Sequence, residues 1–400
     1  MAKLLMIDEA TMLHRFQLEA LDRTLRDVLD DDRPFGGKTV VLSGDFRQCL
    51  PVVPGASRAG TVDTCVNRSV LWRHFQVLRL TENMRVCASG DVRLQEFDKW
   101  LLSIGNGTVP VVHDSDMIEL PESLSTLINT DDEKKSMDDF CSEIFPNLDR
   151  NIGDEAWLEG RAVLAPTNRQ VDKINEMMVE KMSGQVIILQ SSDGLENNRD
   201  AYRYNVEYIN SLNPPGLPSS RLTLKRGMPV MLMRNLNPTE GLCNGTRLIF
   251  KHLLSHRLLV CRTVGLETNR DVYIPRITLR PKERQYPFEW SRRQFPIRPA
   301  YSITINKAQG QTMKMVGVWL PDPVFGHGQF YVGCSRVGVP ERLRLAVKGY
   351  PGNPKYTRNV VYKEVLTDTD ETLGTSQQGT ESSATAEVSY ILWCFGMSLL

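Results

Sequence analysis

The chain has 400 residues, of which 41% are hydrophobic and 24% are charged. This composition is ordinary for a globular protein of two or three domains and excludes wholesale disorder. Since no apolar run approaches 18 residues and acids directly follow the first apolar run, we expect neither a membrane span nor a secretory signal. The eight cysteines form no C-x-x-C pair, which argues against a zinc module or a disulfide framework.

The net charge is zero, but the charges are unevenly distributed. Residues 1–220 carry 23 basic and 35 acidic side chains, residues 221–363 carry 25 and 7, and residues 364–400 carry 0 and 6. A basic segment suits a polyanionic partner, because Lys and Arg neutralise phosphates and release counterions. A solvated basic face explains the same pattern, so charge alone leaves both interpretations open.

The first part of the chain has a strand–helix–strand pattern. Residues 4–7 and 39–43 are short, apolar and rich in β-branched side chains, which is typical of buried parallel strands. Between them, Leu18, Leu21, Leu25 and Val28 recur at helical spacing. This order predicts an α/β sheet.

A second unit is predicted to begin near Arg161. Residues 162–167 form a predicted strand, and Thr167 is the expected N-cap of a helix that carries Val171, Ile174, Met178 and Met182. Short strands predict a small β module at 221–298, and further strands are expected at 315–320, 331–336 and 343–349. Residues 367–388 have the composition of a disordered tail, and the final twelve residues are apolar.

Two acids follow the first predicted strand. The pattern of four apolar residues, Asp8 and Glu9 is that of a Walker B motif, in which Asp8 holds the Mg²⁺ of Mg·ATP and Glu9 orients and deprotonates the attacking water. An acidic strand-to-loop turn is the alternative interpretation of the same residues.

A glutamine, Gln48, follows the second predicted strand and is expected at the same edge of the sheet. Its amide can hydrogen-bond both a γ-phosphate oxygen and a water. An ordinary turn is the alternative.

Four segments in order, LLMIDEATM, LSGDFRQCLPVV, LTENMR and INKAQGQT, resemble the Pif-one family of superfamily 1B DNA helicases, which includes the Helitron helicases. The resemblance runs from about Lys3 to Gly349. It implies an α/β fold with two RecA-like domains of the P-loop NTPase type that clamp ATP and move 5′-to-3′ along single-stranded DNA. It also implies a small inserted β-barrel module, SH3-like, in the second domain.

By this resemblance, Arg85 contacts the γ-phosphate and Arg336 acts as an arginine finger across a cleft. A surface arginine and a strand-end salt bridge are the respective alternatives. Gln309 and Gly310 are expected to face the nucleotide, and Thr304, Asn306 and Lys307 to contact DNA, although a capped helix start would also explain this segment.

The β module offers further basic and aromatic groups. Arg247 is the DNA-binding candidate there, and Lys251, Arg284, Arg292 and Arg293 lie among or near the rings of Tyr286, Phe288 and Trp290. Cations with stacking rings suit single-stranded nucleic acid. A packed core is at least as good an explanation for each ring.

The phosphate-cradling pattern G-x-x-x-x-G-K-[ST] does not occur in the sequence. The segment Gly36–Thr39 is expected to be a turn before the second strand. We therefore expect an incomplete first domain with an exposed sheet edge, and weak or no ATP turnover by this chain alone. The resemblance places the missing loop before Met1.

The predicted organisation has five parts: a partial first RecA-like domain (1–110), an acidic connection (111–155), a second RecA-like domain (156–220 and 299–350), the β module (221–298) and a disordered acidic tail (364–400). The expected function is an ATP-dependent 5′-to-3′ DNA helicase that uses Mg²⁺ and binds single-stranded DNA and DNA junctions as a monomer, with repair, recombination and telomere maintenance as family roles. A nuclear location is expected. The alternatives are a non-hydrolysing single-stranded DNA-binding protein and a decayed transposon fragment.

Overall fold

The fold is given by a computed structural model, which describes residues 3–80, 83–84, 86, 90–112, 115–152, 154–196, 203–264, 269–281, 286–349, 356–371 and 389–393. The strands in chain order are β1 (Leu4–Ile7), β2 (Thr39–Gly44), β3 (Phe75–Arg79), β4 (Met117–Glu119), β5 (Ser125–Leu127), β6 (Arg161–Ala165), β7 (Val186–Gln190), β8 (Ser192–Leu195), β9 (Arg221–Lys225), β10 (Pro229–Leu232), β11 (Arg247–Ser255), β12 (Leu258–Thr263), β13 (Asp271–Pro275), β14 (Ile277–Leu279), β15 (Trp290–Gln294), β16 (Ile297–Pro299), β17 (Ser302–Thr304), β18 (Met315–Leu320), β19 (Leu343–Val347), β20 (Tyr356–Arg358) and β21 (Ser389–Trp393).

The α-helices are α1 (Arg15–Leu29), α2 (Arg58–Asp63), α3 (Val92–Asn106), α4 (Glu133–Ile144), α5 (Leu148–Asn151), α6 (Glu155–Glu159), α7 (Asn168–Lys181), α8 (Val206–Ser211), α9 (Gln329–Cys334) and α10 (Lys363–Glu371). Among the described residues, no helix is long and apolar enough to cross a membrane.

The chain divides into two compact units. The first unit comprises residues 1–130 and 308–400, and the second unit comprises residues 131–307. Of the two segments predicted for the second RecA-like domain, 156–220 lies in the second unit, whereas 299–350 is divided, with 299–307 in the second unit and 308–350 in the first.

A four-stranded parallel sheet with the order β1-β2-β21-β3 forms one part of the first unit. The strand–helix–strand prediction for 4–43 is confirmed by β1, α1 and β2. Helix α1 begins where His14 caps it and exchanges hydrogen bonds with Gln17, which satisfies amide groups that have no partner inside the helix. Strand β1 lies at the sheet edge, with Leu4 and Met6 exposed.

Apolar side chains of β2 pack into the core of the first unit. Val40 and Leu42 are buried together with Phe35, Phe46 and Trp72. Elsewhere in this unit, β18, β19 and β5 pair in parallel, and β4 pairs antiparallel with β20. The strands predicted at 315–320 and 343–349 are confirmed as β18 and β19.

Two elements lie within the range predicted as a disordered tail. Helix α10 buries Val365 in the core of the first unit, and β21 occupies an interior position in the parallel sheet. The expectation of disorder is wrong for these two segments, because both contain apolar residues that the mean composition of the tail conceals. Residues 372–388 lie outside the described residues.

The second unit contains the predicted strand and helix near Arg161. Strand β6 pairs in parallel with β17, and α7 begins at Thr167, whose hydroxyl accepts a hydrogen bond from the Gln170 amide. The residues expected on the buried face of the helix are buried: Val171, Ile174 and Met178. These predictions are confirmed.

The β-rich part of the second unit consists of antiparallel sheets. Five strands pair in the order β13-β12-β11-β10-β16, three in the order β14-β15-β8, and β7 pairs with β9. The short strands expected between 221 and 298 are therefore present.

Aromatic residues near the end of the β module form a core. Phe288 and Trp290 are buried with Ile209, Leu217 and Leu279. Tyr286 packs against this cluster, with its ring 5.9 Å from that of Trp290. These contacts favour the packed-core interpretation over stacking platforms for nucleic acid.

Arg292 is fully buried beside these rings, which corrects its prediction as a basic surface group. Its guanidinium pairs with the equally buried carboxylate of Asp193 at 2.7 Å and donates to the backbone carbonyls of Ile209, Leu212 and Pro218. A buried charge is tolerated when its partners satisfy it in this way. The ion pair therefore ties β15 and β8 to α8 and the segment that follows it.

We expect Arg292→Leu to lower the free energy of unfolding by about 3–5 kcal/mol, because it leaves the Asp193 carboxylate buried without its partner. Urea unfolding followed by tryptophan fluorescence measures this loss. The control is Arg293→Leu, since Arg293 is adjacent and exposed, and should cost less than about 0.5 kcal/mol. Equal stabilities for the two variants would contradict the structural role of the pair.

Candidate active site

The carboxyl ends of β1 and β2 lie at one edge of the parallel sheet. The register runs from Leu4 opposite Thr39 to Ile7 opposite Leu42, so Asp8 lies next to Ser43. The Asp8 Oδ1 atom accepts hydrogen bonds from the Ser43 hydroxyl and from the Glu9 amide at 2.9 Å. These bonds fix the carboxylate at the end of the strand.

Glu9 has a strained backbone and a specific side-chain partner. Its φ of 51° lies in the left-handed region, which costs a non-glycine residue about 1–3 kcal/mol and is found most often at functional sites. Its Oε2 accepts a hydrogen bond from Gln309 Nε2 at 2.7 Å. Burial raises the pKa of the Glu9 carboxyl, and the Gln309 hydrogen bond opposes that rise.

Gln309 and Gly310 belong to the segment expected to face nucleotide. Gly310 has a φ of +75°, and a Cβ at this position would lie 3.5 Å from Glu9 Oε1. The structure therefore brings Glu9, Gln309 and Gly310 together, although 300 positions of sequence separate the first two.

The loop after β2 is held by a buried polar network. Asp45, 2% exposed, accepts hydrogen bonds from the Arg47 amide at 3.0 Å and from the Tyr331 hydroxyl at 3.2 Å. Arg47 donates in turn to Asn106 at 2.6 Å. Burial raises the pKa of Asp45, and the nearby Arg47 guanidinium opposes that rise. The network anchors the loop that presents Gln48.

Gln48 is also buried, and its side chain hydrogen-bonds Asp45. Among the described residues, its Oε1 has no hydrogen-bond partner, and the same holds for Gln309 Oε1. An unsatisfied buried carbonyl oxygen costs about 1–3 kcal/mol, so each is suited to accept a hydrogen bond from a ligand or water. Within the described part of the chain, the site thus contains two amide oxygens without protein donors.

Arg336 follows an α-helix, which corrects the predicted strand at 331–336. All six residues of α9 are buried, and a short run that is buried on every side lacks the periodicity that distinguishes a strand from a helix. The Arg336 guanidinium donates to the carbonyls of Val332 at 2.8 Å and Ala308 at 3.4 Å and to the Ser335 hydroxyl at 2.8 Å.

Arg336 is 4% exposed. Burial lowers the pKa of its guanidinium, while the attraction of Tyr331 and then of Glu9 acts in the opposite direction. The cation is therefore near the Glu9 carboxylate, in the same unit.

His327, just before α9, binds the loop after β2. Its Nδ1 accepts a hydrogen bond from the Tyr362 amide at 2.7 Å, so Nε2 carries the proton and donates to the Phe46 carbonyl at 2.6 Å. Burial lowers the pKa of His327 to about 4. The adjacent Gly328 allows close approach, because a Cβ there would lie 2.4 Å from the Arg47 carbonyl oxygen.

The residues expected to contact DNA lie in the second unit. Thr304 ends β17, and Asn306 and Lys307 lie in the following 3-10 helix, each partly exposed. Burial lowers the pKa of Lys307, and the positive charge of Arg298 lowers it further. Arg298 itself pairs with Asp172 at 2.9 Å. This is a polar, cationic group at the end of a parallel strand.

Arg247 does not belong to that group. It is 9% exposed, and its Nη2 donates to the carbonyls of Arg161 at 2.8 Å and Ala300 at 3.1 Å. We assign it to holding β11 beside β6, which corrects its prediction as a DNA contact. Lys251 pairs with Glu155 at 2.8 Å, and both Arg85 and Arg284 lie outside the described residues.

The chemistry of these groups fits part of an Mg·ATP site. Carboxylate oxygen is the ligand type that Mg²⁺ prefers, and the hydrogen bonds of Asp8 in the described structure engage only Oδ1. The two amide oxygens that lack a donor among the described residues can accept hydrogen bonds from water. The guanidinium of Arg336 can donate hydrogen bonds to phosphate oxygen. Among the described residues, no group of three or more His, Cys, Asp or Glu side chains could hold a metal ion by itself.

Comparison with protein families gives two matches. The model of the PIF1-like helicases matches residues 1–115, and that of the 2B domain of the DNA helicase Pif1 matches residues 207–253. The first match contains Asp8, Glu9 and Gln48, and the second contains the start of the β module.

Curated relatives agree with the family matches. The ATP-dependent DNA helicase PIF1 of Xenopus laevis is 24% identical over 354 residues, which cover 86% of this chain and 46% of the relative. Its Homo sapiens counterpart is 25% identical over 342 residues, which cover 85% and 45%. The chain thus spans about half the length of these relatives.

Solved structures show the same fold. Pif1 helicase from Candida albicans has a TM-score of 0.60 at 21% identity and covers 93% of this chain and 77% of its own. Pif1 helicase from Bacteroides in complex with ADP-AlF3 and ssDNA has a TM-score of 0.62 at 21% identity, with 94% and 76% covered. The chain has the mixed α/β fold of these solved structures. The family models, the curated relatives and these solved structures thus all make the chain similar to Pif1 helicases.

Sequence reasoning missed three groups that hold this site. Asp45 and Arg47 lie within a recognised motif, but the sequence does not show that they pair with Tyr331 and Asn106. His327 was not identified as important, although a polar residue in a stretch that is mostly Gly, aromatic and aliphatic, Phe325 to Val332, signals a buried hydrogen-bonding role.

Acid should destabilise the first unit through His327. Because its pKa is about 4 in the folded state against about 6.5 unfolded, its contribution is complete above pH 6.5 and is lost as the pH falls towards 4. The predicted loss is about 3 kcal/mol, which urea unfolding between pH 4 and 7 measures.

The stability difference between wild type and His327→Gln should accordingly shrink as the pH falls from 7 to 4. His256→Gln is the control, since His256 is exposed. A difference between wild type and His327→Gln that stays constant with pH would contradict the neutral, buried state of His327.

Proposed function

We propose that this chain carries the water-activating and charge-stabilising part of the ATPase site of an ATP-dependent 5′-to-3′ DNA helicase. The observation that carries the proposal is the grouping of Asp8, Glu9, Gln309 and Arg336 at one edge of the first unit, beside the loop of Gln48. The names of the curated relatives and the ligands of the Bacteroides structure support the choice of ATP and single-stranded DNA.

Each side chain has a role that follows from its surroundings. Asp8 would hold Mg²⁺, which neutralises phosphate charge when Mg·ATP is bound. Glu9 accepts the proton of the attacking water, and its raised pKa favours that acceptance. The Oε1 atom of Gln48 accepts a hydrogen bond from the second O–H of that water and orients it, while Gln309 holds the Glu9 carboxylate through its own hydrogen bond.

Arg336 supplies positive charge for the developing negative charge of phosphoryl transfer. Its present hydrogen bonds go to backbone carbonyls and to Ser335, so it needs to exchange one of them to donate to a phosphate oxygen. Its placement near Glu9 makes this exchange a local side-chain movement.

We also propose that the chain contains two RecA-like domains of this helicase type and an SH3-like insertion. The first of the two RecA-like domains is incomplete. The antiparallel sheet with the order β13-β12-β11-β10-β16 supports a small barrel-like module. The parallel β1–β2 and β6–β17 pairs support RecA-like sheets.

Single-stranded DNA is proposed to bind at the end of β17. Thr304 and Asn306 offer hydrogen bonds to phosphate oxygens, and Lys307 offers positive charge. The same elements support the second candidate function, single-stranded DNA binding without hydrolysis, because the sequence contains no phosphate-cradling loop.

Turnover of ATP by this chain alone is proposed to be weak. Without the backbone and lysine contacts of a phosphate-cradling loop, Asp8 and Glu9 act on a loosely held triphosphate. We expect wild type and Glu9→Gln to release phosphate at rates within about twofold of each other, in Mg²⁺ with single-stranded DNA. A general base accelerates hydrolysis only when the triphosphate and the water are held in position, so its removal changes the rate little when they are not.

The control for that assay is Glu96→Gln, a change to an exposed acid on α3. Wild-type hydrolysis that falls by about 100-fold in Glu9→Gln alone would contradict the impairment while supporting the site. Strong hydrolysis that all three proteins share would contradict the role of Glu9 itself.

Binding of single-stranded DNA should depend on Lys307. Lys307→Ala is expected to weaken binding of a labelled oligothymidylate. It should also reduce the slope of log affinity against log salt by about 0.7, because one lost phosphate contact on a single strand releases about 0.7 fewer counterions. Fluorescence anisotropy across salt concentrations measures both. Lys135→Ala, which removes an exposed charge on α4, should have neither effect. Absence of binding by wild type at low salt would contradict the assigned DNA surface.

A further inference from the structure

The second unit contains a polar cavity, open to solvent, to which the proposed ATPase site and the end of β17 contribute no residue. Its volume of about 500 Å³ is within the range of about 300–1,000 Å³ that ligand sites occupy. Ligand sites are usually lined by apolar groups, but this lining consists of four serines, three side-chain amides, Glu207 and Arg221. A ligand that matches the cavity is therefore polar.

Two walls form the cavity, and buried side chains of β15 hold both of them. One wall joins the end of β7 to the start of β9, where Gln190 pairs with Arg221. The buried Gln294 amide donates a hydrogen bond to the Ser220 carbonyl in this wall at 3.1 Å. The other wall is α8 with the segment after it, whose carbonyls accept hydrogen bonds from the buried Arg292. The cavity is thus built into the fold.

The α8 wall offers two hydrogen-bond acceptors to a ligand. Among the described residues, the buried Oδ1 atom of Asn210 has no hydrogen-bond partner, which is unfavourable unless a ligand or water supplies a donor. Glu207 forms no ion pair with any residue that the structure describes. It lies three positions before Asn210 in α8, so the two side chains are neighbours on one helix face.

The opposite wall carries positive charge. Arg221 is exposed, and Arg276 donates a hydrogen bond to the Gln190 carbonyl at 2.6 Å. Burial lowers the pKa of the Arg276 guanidinium, and the positive charge of Arg293 lowers it further, so these two cations are close together. This edge of the cavity suits a phosphate, because guanidinium groups bind phosphate oxygens well.

The two acceptors discriminate among nucleobases. The exocyclic amino group of cytosine or adenine has two N–H donors, and carboxylate and amide oxygens accept from such groups in base recognition. Thymine presents one N–H donor, so it leaves one of the two acceptors without a partner. Tyr208, which follows Glu207 in α8 and is 45% exposed, offers a ring on which a base can stack.

We propose that this cavity binds one unstacked nucleotide and prefers a base with an exocyclic amino group to thymine. Glu207 and Asn210 Oδ1 accept hydrogen bonds from the amino group, and Arg221 donates to the phosphate. This inference gives the proposed single-stranded DNA binding a base preference. It rests on that proposed function only for the source of the nucleotide, since a free nucleotide carries the same groups.

Matched pyrimidine oligomers test the preference. Fluorescence anisotropy at neutral to slightly alkaline pH compares a labelled oligodeoxycytidylate with an oligothymidylate of the same length, because the two differ in the amino group that the acceptors recognise. We expect the wild-type chain to bind the cytidylate about fivefold more tightly or better, the effect of one base-specific contact. Equal affinities for the two oligomers would overturn the proposal.

Variants of the acceptor pair locate the preference. Glu207→Ala and Asn210→Leu should each bring the two affinities to within about twofold of each other, because one acceptor is lost. Glu176→Ala is the matched control, since it removes an exposed acid from α7 of the same unit, and it should leave the preference unchanged. The ratio of affinities is the readout, because loss of an acid strengthens binding of both oligomers alike. A ratio that stays at the wild-type value in both acceptor variants would overturn the proposal.

Failure of the proposed DNA binding gives a different result. If wild type binds neither oligomer at low salt, the single-strand binding function is contradicted, and free nucleotides decide this inference. Saturation-transfer NMR should then detect deoxycytidine monophosphate more strongly than thymidine monophosphate with wild type, and Asn210→Leu should remove the difference. Equal signals from the two nucleotides with wild type, or a difference that Asn210→Leu retains, would overturn the proposal.

Discussion

The site depends on the contact between Glu9 and Gln309. The 2.7 Å hydrogen bond joins the end of the first strand to a segment near residue 310, and both belong to the same compact unit. Neither segment alone contains a complete set of groups for phosphate chemistry. Together they place a carboxylate, two amides and a guanidinium around one edge of a parallel sheet, which is where α/β proteins bind ligands.

Burial then determines how these groups behave. Asp45, Tyr331 and His327 form the inner layer, where each polar group has a protein partner and the loop after β2 is held in place. Glu9, Gln48 and Gln309 form the layer next to it, with a strained backbone at Glu9 and unsatisfied oxygens at both amides. The hydrogen-bonded inner layer can hold the outer layer in place, although the backbone strain and the unsatisfied oxygens of the outer layer cost free energy until a ligand binds.

The sequence predicts local structure best where a periodic pattern is long. Helix α1, helix α7 and strands β1, β2 and β6 follow from apolar spacing and from the cap at Thr167. Helix α9 differs from the predicted strand because a short run of buried residues fits either structure. The partners of Arg247 and Arg292 were not predictable, since a cation that binds carbonyls and a buried acid looks in sequence like a cation that binds phosphate. The pairing of strand β21 with β2 and β3 cannot be predicted from its local sequence, because both partners lie more than 300 residues away in the chain.

A double-mutant cycle between Glu9 and Gln309 tests the central claim most directly. The free energy of unfolding is measured for wild type, Glu9→Ala, Gln309→Ala and the double variant, with Gln17→Ala in place of Gln309→Ala as the control pair. We predict a coupling energy of about 1 kcal/mol or more for Glu9 with Gln309 and near zero for Glu9 with Gln17. Additive effects of Glu9→Ala and Gln309→Ala would contradict the account.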